Sequence, residues 1–345
     1  MFAVNEITDK ELWERFVLEQ KYALFPQSFK YGEFYQTLGE GSWIFGVFDG
    51  DNLIGGSLAV SVHAKRGNFL LLPYGPIAKE DKHQGAVLGA LTAHLAGFAK
   101  KHGMDFIKVS PFWQNDQTHS DIFREFRYKN SPLHILAENT WLLDLSPSED
   151  NLLKGTQKNH RYLIRRCAKE GIKVTKTSNP EELDEFNRLH DITARKHSFH
   201  RFSDSYIKSE FERFAKQKEA VLFKAFLPDG RLDSAAIIIY YGNMAAYRHG
   251  ASANLDTRLP TSYLVQWEAI KEAKNRGMKW HNFWGIAPPK ASKKHPFYGI
   301  THFKKGFGGF GFDLVHCQDM PLTKKYYLNW VVEKMRSIKR GFSKQ

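Results

Sequence analysis

Between residues 148 and 170, Lys154, Lys158, Arg161, Arg165, Arg166 and Lys169 follow one another with few acids among them. Guanidinium forks and ammonium groups at that density either form a solvated helix face or hold an anion, and the scarcity of compensating carboxylates favours the anion. A second cationic pair, Lys304 and Lys305, stands in Phe303-Lys304-Lys305-Gly306-Phe307-Gly308-Gly309, where a glycine-rich turn follows two ammonium groups. Such lysines bind phosphate or simply face solvent. His249 and His281 lie near strand ends and could titrate near neutral pH, although a lone histidine is more often structural. Cys167 and Cys317 are far apart, with no C-x-x-C spacing, so neither a disulfide framework nor a metal site is expected. There is no G-x-S-x-G elbow and no Walker loop.

The elements that must position these groups repeat a single order. In the first half, 43–48 reads as a strand, Asp49-Gly50-Asp51-Asn52 as a hairpin turn, and 53–62 and 69–72 as further strands. A Leu- and Ala-rich helix then ends in Ala99-Lys100-Lys101-His102-Gly103-Met104, followed by a strand over 106–109. The second half has strands over 220–227, 235–241 and 244–249, and a helix from 261 that ends in Ala273-Lys274-Asn275-Arg276-Gly277-Met278. A strand over 280–284 closes the series. The shared Ala-Lys-x-x-Gly-Met ending is ordinary capping chemistry, but the shared order of hairpin, strand, long helix and strand predicts an internal duplication. Between the halves, 140–145 reads as a strand and 148–170 as one basic helix with Pro147 at its start. Helices follow over 180–196 and 204–216.

The length of 345 residues predicts two domains. A hydrophobic fraction of 42% and a charged fraction of 25% are those of a folded globular chain. The balance of 50 Lys and Arg against 37 Asp and Glu gives +13, a field that attracts RNA, anionic lipid or phosphorylated small molecules. No stretch has the ~20 apolar residues of a membrane span, and the N-terminus lacks a leader pattern, so a cytoplasmic protein is expected.

Segments spread over nearly the whole chain resemble the Fem aminoacyltransferases. They include Gln27-Ser28-Phe29-Lys30-Tyr31-Gly32-Glu33-Phe34, Leu72-Pro73-Tyr74-Gly75-Pro76-Ile77 and Thr140-Trp141-Leu142-Leu143-Asp144-Leu145. Lys158-Asn159-His160-Arg161-Tyr162-Leu163-Ile164-Arg165-Arg166 and Gly171-Ile172-Lys173-Val174 come next. Phe283-Trp284-Gly285-Ile286 and the run from Gly299 to Gly309 complete the match. The resemblance implies an α/β (α+β) fold of two tandem GNAT-like domains with mixed sheets flanked by helices. These would span 1–140, with a C-terminal helix over 323–345 packing back, and 141–322. The long helical arm of some members is missing, because the helices after Pro180 run straight into the next strand.

The activity implied is transfer of an amino acid from aminoacyl-tRNA to the stem-peptide amine of a peptidoglycan precursor, with no metal and no cofactor beyond the tRNA co-substrate. Lys304 matches the family lysine near the reacting ester, where a fixed cation would stabilise the oxyanion. Lys30, Tyr31, Tyr74, Ser110, Arg201, Tyr206, Trp284 and Phe303 are the implied substrate contacts. Arg161, Arg165, Arg166 and Lys305 are the expected tRNA or phosphate contacts. Glu33 stands where nucleotide-using members carry a phosphate-binding Lys, which favours lipid II over UDP-MurNAc-pentapeptide as acceptor and adds contact with the inner membrane surface to the expected location. Ser110 stands where some members carry an Asp, leaving deprotonation of the amine to water or substrate. Two rivals are an acyl-CoA-dependent GNAT enzyme and a non-enzymatic RNA-binding protein. Neither helix opening, Lys82-His83-Gln84-Gly85-Ala86 nor Arg258-Leu259-Pro260-Thr261-Ser262, has the pyrophosphate-binding pattern of the first.

Overall fold

A computed structural model describes residues 2–64, 67–197, 200–293, 295 and 297–339. The chain divides into two compact units, Met1–Thr140 with Ala287–Tyr298 and Phe312–Gln345, and Trp141–Ile286 with Gly299–Gly311. Residues 287–298 and 312–322, expected in the second domain, therefore group with the first.

The first unit holds β1 (Ala3–Glu6), α1 (Lys10–Leu18), α2 (Phe29–Thr37), β2 (Ser42–Asp49), β3 (Asn52–Ala64), β4 (Gly67–Tyr74), β5 (Ile77–Ala78), α3 (Gln84–Lys101), β6 (Phe106–Pro111), α4 (Gln117–Glu125) and β7 (Lys129–Asn130). The elements of the second sheet and its helices follow: β8 (Asn139–Asp144), α5 (Glu149–Gly155), α6 (Lys158–Lys169), β9 (Lys173–Thr177), α7 (Leu183–His197), α8 (Asp204–Ala215), β10 (Ala220–Phe226), β11 (Leu232–Tyr241), β12 (Met244–Ser252), α9 (Ser262–Asn275), β13 (Trp280–Gly285), α10 (Tyr298–Lys305) and β14 (Phe310–Asp313). The chain then returns to the first sheet with β15 (Gln318–Pro321) and α11 (Lys325–Lys339).

The sheets run β1-β2-β3-β4-β6-β15-β7, with β5 beside β3, and β14-β8-β13-β12-β11-β10-β9. In each, an antiparallel hairpin leads to a third strand, a long helix crosses over, and the next strand pairs parallel to the third: β4 with β6, and β12 with β13. A parallel pair needs such a crossover, and helices on both faces explain why β11 is buried along almost its whole length.

The repeated helix endings close identically. Met104 N–H donates to Ala99 O (2.9 Å) and Gly103 N–H to Lys100 O (3.1 Å), while Met278 donates to Ala273 (3.0 Å) and Gly277 to Lys274 (2.9 Å). Gly103 and Gly277 have φ of 70° and 74°, the left-handed conformation this double-bonded cap requires.

The outer strand of each parallel pair then acquires a neighbour from the other half of the sequence. β15 follows the second repeat but pairs with β6, and β8 follows the first repeat but lies beside β13. This ladder carries residues 312–322 into the first unit. Lys108 of β6 reinforces it: its buried ammonium lies 2.8 Å from Asp319 of β15 and 3.7 Å from Glu333 of α11. Burial alone would lower the pKa of this amine, but the two carboxylates outweigh burial and keep it charged.

The single basic helix expected over 148–170 is instead two, α5 and α6. Thr156 is extended, and Gln157 N–H leaves the helical ladder to donate to Gly306 O at 2.8 Å. A tertiary bond thus replaces a helical one.

Candidate active site

The second sheet opens where the first stays closed. β12 and β13 pair from Met244↔Trp280 only to Ala246↔Asn282, although β12 continues to Ser252 and β13 to Gly285. Beyond that point a bulge opposite Ile237 and Ile238 leaves Arg248 as the extra residue, since Ile237 pairs with His249 and Ile238 with Tyr247. A bulge breaks the alternation of side chains. Here it lets both Arg248 and His249 meet α8.

On that face lies Glu210 of α8. Arg248 donates to it in a fork at 2.9–3.0 Å, and His249 Nε2 stands 3.1 Å away. Burial would raise the Glu210 carboxyl, but Arg248 and His249 outweigh it and hold its pKa down to about 2. The Arg248 guanidinium lies between the rings of Phe202 and Trp284, at 5.6 and 5.5 Å, with Tyr206 Oη at 3.5 Å. Trp284 reaches it from a left-handed backbone (φ 64°), with its N–H donated to Asn282 Oδ1 at 2.8 Å. A bulky residue held at positive φ is strained, and strain of this kind clusters at binding sites.

Lys304, in the last turn of α10, bridges the two strands just past the end of their pairing. Its Nζ donates to Gly285 O of β13 at 2.6 Å and lies 5.7 Å from the Tyr247 ring of β12. It is 5% exposed and has no carboxylate partner among the described residues. Burial therefore lowers its pKa to about 7, so near neutral pH a large fraction is the free amine. An amine whose pKa lies near neutrality can accept a proton as well as donate one, which a fixed cation cannot.

The glycines beside Lys304 serve packing. A Cβ on Gly306 would overlap the His160 ring, and one on Gly309, at φ 93°, would overlap the Leu142 carbonyl. His160 in turn bonds Phe303 O at 2.9 Å. Phe303 is half-buried and packs on Tyr263 and Phe307.

Other expected site residues are occupied by the protein itself. Arg201 bonds Asp191 (2.5 Å), Asp204 (2.6 Å) and Phe202 O (2.9 Å), which staples α7 to α8 and uses the fork intended for a diphosphate. Arg161 turns back to the carbonyls of Lys154 (2.7 Å) and Thr156 (3.3 Å), satisfying the end of α5. Arg166 is half-buried and lies in the field of Asp256. Arg165 is exposed, as are Lys158, Lys169 and Tyr162. Lys305 lies over the Trp141 ring at 5.0 Å.

In the first unit Tyr31, Tyr74 and Ser110 are 1%, 1% and 2% exposed. Tyr74 Oη donates to Ala137 O at 2.8 Å, Tyr31 packs among Phe25, Phe34 and Tyr35, and Ser110 pairs with Pro73 inside the sheet. These residues build the scaffold and offer no side-chain face to a ligand. Lys30 is 9% exposed on α2, and Glu33 forms an exposed 3.3 Å pair with Lys10. His281 is buried, with Gln266 Nε2 at 2.7 Å, and burial lowers its pKa to about 3; burial also lowers that of His249. The burial of both rings fits the structural role that a lone histidine more often has.

Comparison with known proteins fixes the family. The FemAB family model matches residues 7–134, 128–229 and 230–334. The chain belongs to the FemAB family. This FemAB protein is 22% identical over 326 residues to the lipid II:glycine glycyltransferase of Staphylococcus epidermidis, covering 74% of this chain and 77% of that one. Aminoacyltransferase FemA of Staphylococcus aureus is 33% identical over 92 residues, 26% of this chain and 20% of its own. Among solved structures, FemX superposes with a TM-score of 0.81 at 18% identity, over 96% of this chain and all (100%) of that one. A tandem GNAT protein from the clavulanic acid pathway gives 0.56 at 10% identity, over 93% of this chain and 99% of its own. The fold is therefore a tandem GNAT-like one, with mixed sheets flanked by helices. Among the described residues no helix is long and apolar enough to cross a membrane.

Proposed function

We propose that this FemAB protein transfers an amino acid from aminoacyl-tRNA to the stem-peptide amine of a lipid-linked peptidoglycan precursor, at the gap between β12 and β13. The named relatives are a lipid II:glycine glycyltransferase and an aminoacyltransferase, and the observation that carries the site is the buried Lys304 amine bridging the two strands where their pairing ends. The ester is already activated, so the protein must position the reactants and help the acceptor nitrogen lose its protons.

The acceptor ammonium gives its proton to the Lys304 amine, and its nitrogen attacks the ester carbonyl carbon. The resulting ammonium of Lys304 then stands beside the oxyanion. As the carbonyl re-forms, the bond to the ribose oxygen breaks and that oxygen takes the proton from Lys304, while the extra proton on the attacking nitrogen passes to water and leaves a neutral amide. Exposed Arg165, Lys158 and Lys169, with Tyr162 among them, suit tRNA phosphates and an unstacked base.

An acyl-CoA donor fits poorly. Thr261, the residue just before α9, makes no capping bond with its side chain and donates its hydroxyl to the buried Asp233 carboxylate at 2.6 Å. That carboxylate already supplies the negative charge a pyrophosphate would bring there. The reaction would place the protein in the cytoplasm, at the inner face of the membrane. The test is transfer from mixed charged tRNAs to lipid II in detergent, with mass analysis of the product. A product one amino acid heavier is expected; transfer from acyl-CoA and none from tRNA would contradict it.

A further inference from the structure

The faces of α11 are inverted. Toward the first unit it turns Tyr326, Asn329, Glu333 and Ser337, a largely polar stripe, with Glu333 reaching Lys108. Away from the protein it presents Tyr327, Leu328, Val331, Met335 and Ile338, which are 52, 66, 50, 58 and 57% exposed. At 100° per residue the last four fall on one arc of the helix. Cations flank that arc on both sides: Lys334 on one, Lys325 and Arg336 on the other, with Lys324 and Lys339 at its ends, all exposed. Lys325 keeps a 3.6 Å pair with Asp105 while remaining 59% exposed, and Lys129 lies over the Tyr327 ring at 5.1 Å. The only acid of α11, Glu333, points inward.

We infer that α11 is an interfacial helix that lies in the plane of an anionic lipid surface, with Leu328, Val331, Met335 and Ile338 in the acyl boundary and the flanking cations among the headgroups. An apolar arc bordered by Lys and Arg is the pattern that binds such a surface, by apolar burial and charge attraction together. A second copy of the chain fits less well, because two α11 faces brought together would oppose their cations. This deepens the reading above, in which the acceptor carries a lipid, but it needs neither tRNA nor precursor.

The experiment is vesicle co-sedimentation of the full chain with phosphatidylcholine alone and with about 30% phosphatidylglycerol, the surface charge range in which polybasic segments bind. Binding is expected only to the anionic vesicles, weakening as salt rises. Leu328→Gln with Met335→Gln should lower the partition coefficient about tenfold or more, with an unchanged circular dichroism spectrum since both side chains are exposed. Ile192→Gln, an exposed apolar change on α7, should leave it unaltered. No binding, equal binding to neutral vesicles, or binding that survives the double substitution would overturn the inference. So would a dimer in sedimentation velocity that the double substitution dissociates. Because the vesicles contain no precursor, each of these results leaves transfer to detergent-dispersed lipid II as a separate question.

Discussion

The two sheets share an order of elements and differ at one place. In the first, β4 and β6 remain paired from Phe69↔Phe106 to Tyr74↔Pro111, and the buried Lys108 is matched by two carboxylates. In the second, pairing of β12 with β13 stops at Ala246↔Asn282, and the buried Lys304 has no acid beside it among the described residues. The same residue type is therefore kept charged by two carboxylates in one sheet and has its pKa lowered to about 7 by burial in the other. A closed ladder with a paired ion adds rigidity. An open one with an unpaired amine stores a group that can take and return a proton.

The largest effect that separates the two is on stability. Lys108→Met leaves Asp319 buried without its partner, which should cost about 3–5 kcal/mol in denaturant unfolding. Adding Asp319→Leu should recover much of that loss. Turnover per folded molecule should not change, and a loss of turnover would assign chemistry to the closed sheet.

Lys304→Met should do the opposite. Loss of the amine should slow single turnover by ~10²–10³, on the scale of one oxyanion donor, without a loss of stability. The sign follows from linkage. Between about pH 7 and the ordinary lysine value of 10.5, the unfolded lysine carries a proton that the folded one has lost, so wild-type stability rises with pH across that window. Methionine should abolish that rise, which chemical denaturation near pH 7 and pH 9.5 measures.

Gly306→Ala must displace the His160 ring that holds Phe303, and should cost about 1–3 kcal/mol. Alanine at Gly103, whose role is a cap at positive φ with open space around it, should cost about 1 kcal/mol. The smallest effect expected is at the tRNA contacts. Arg165→Ala should lower the salt slope of tRNA binding by about one phosphate, while Arg161→Ala should lower helix stability instead, because its guanidinium is spent on α5 carbonyls. A reversed result would exchange their roles.

The comparison also shows what the amino-acid sequence makes legible. Periodicity and turn residues announce β2–β3, β10–β11 and the crossover helices, and the Gly103 and Gly277 endings are visible because their chemistry is local. The exchange of β8 and β15 between sheets depends on pairings across the length of the chain, which no local pattern encodes. The break between α5 and α6 likewise rests on a tertiary bond from Gln157 to Gly306. Lys304 stands out beside its glycines, but its protonation follows from burial without an acid, a property of the fold. Arg161 and Arg201 look like free cations until their partners are seen. Glu210 left one sign: an acid in the buried stripe of Ile207, Phe211 and Phe214 on α8, three residues after the first and four before the last, signals a buried cation such as Arg248.

The most direct test of the account is the pH dependence of single-turnover transfer at saturating aminoacyl-tRNA. If Lys304 enters the reaction as a free amine, the rate should rise with pH through a midpoint near 7, and the Lys304→Met enzyme should lack that transition. A wild-type rate that is flat across neutrality, or a midpoint that persists in Lys304→Met, would contradict it.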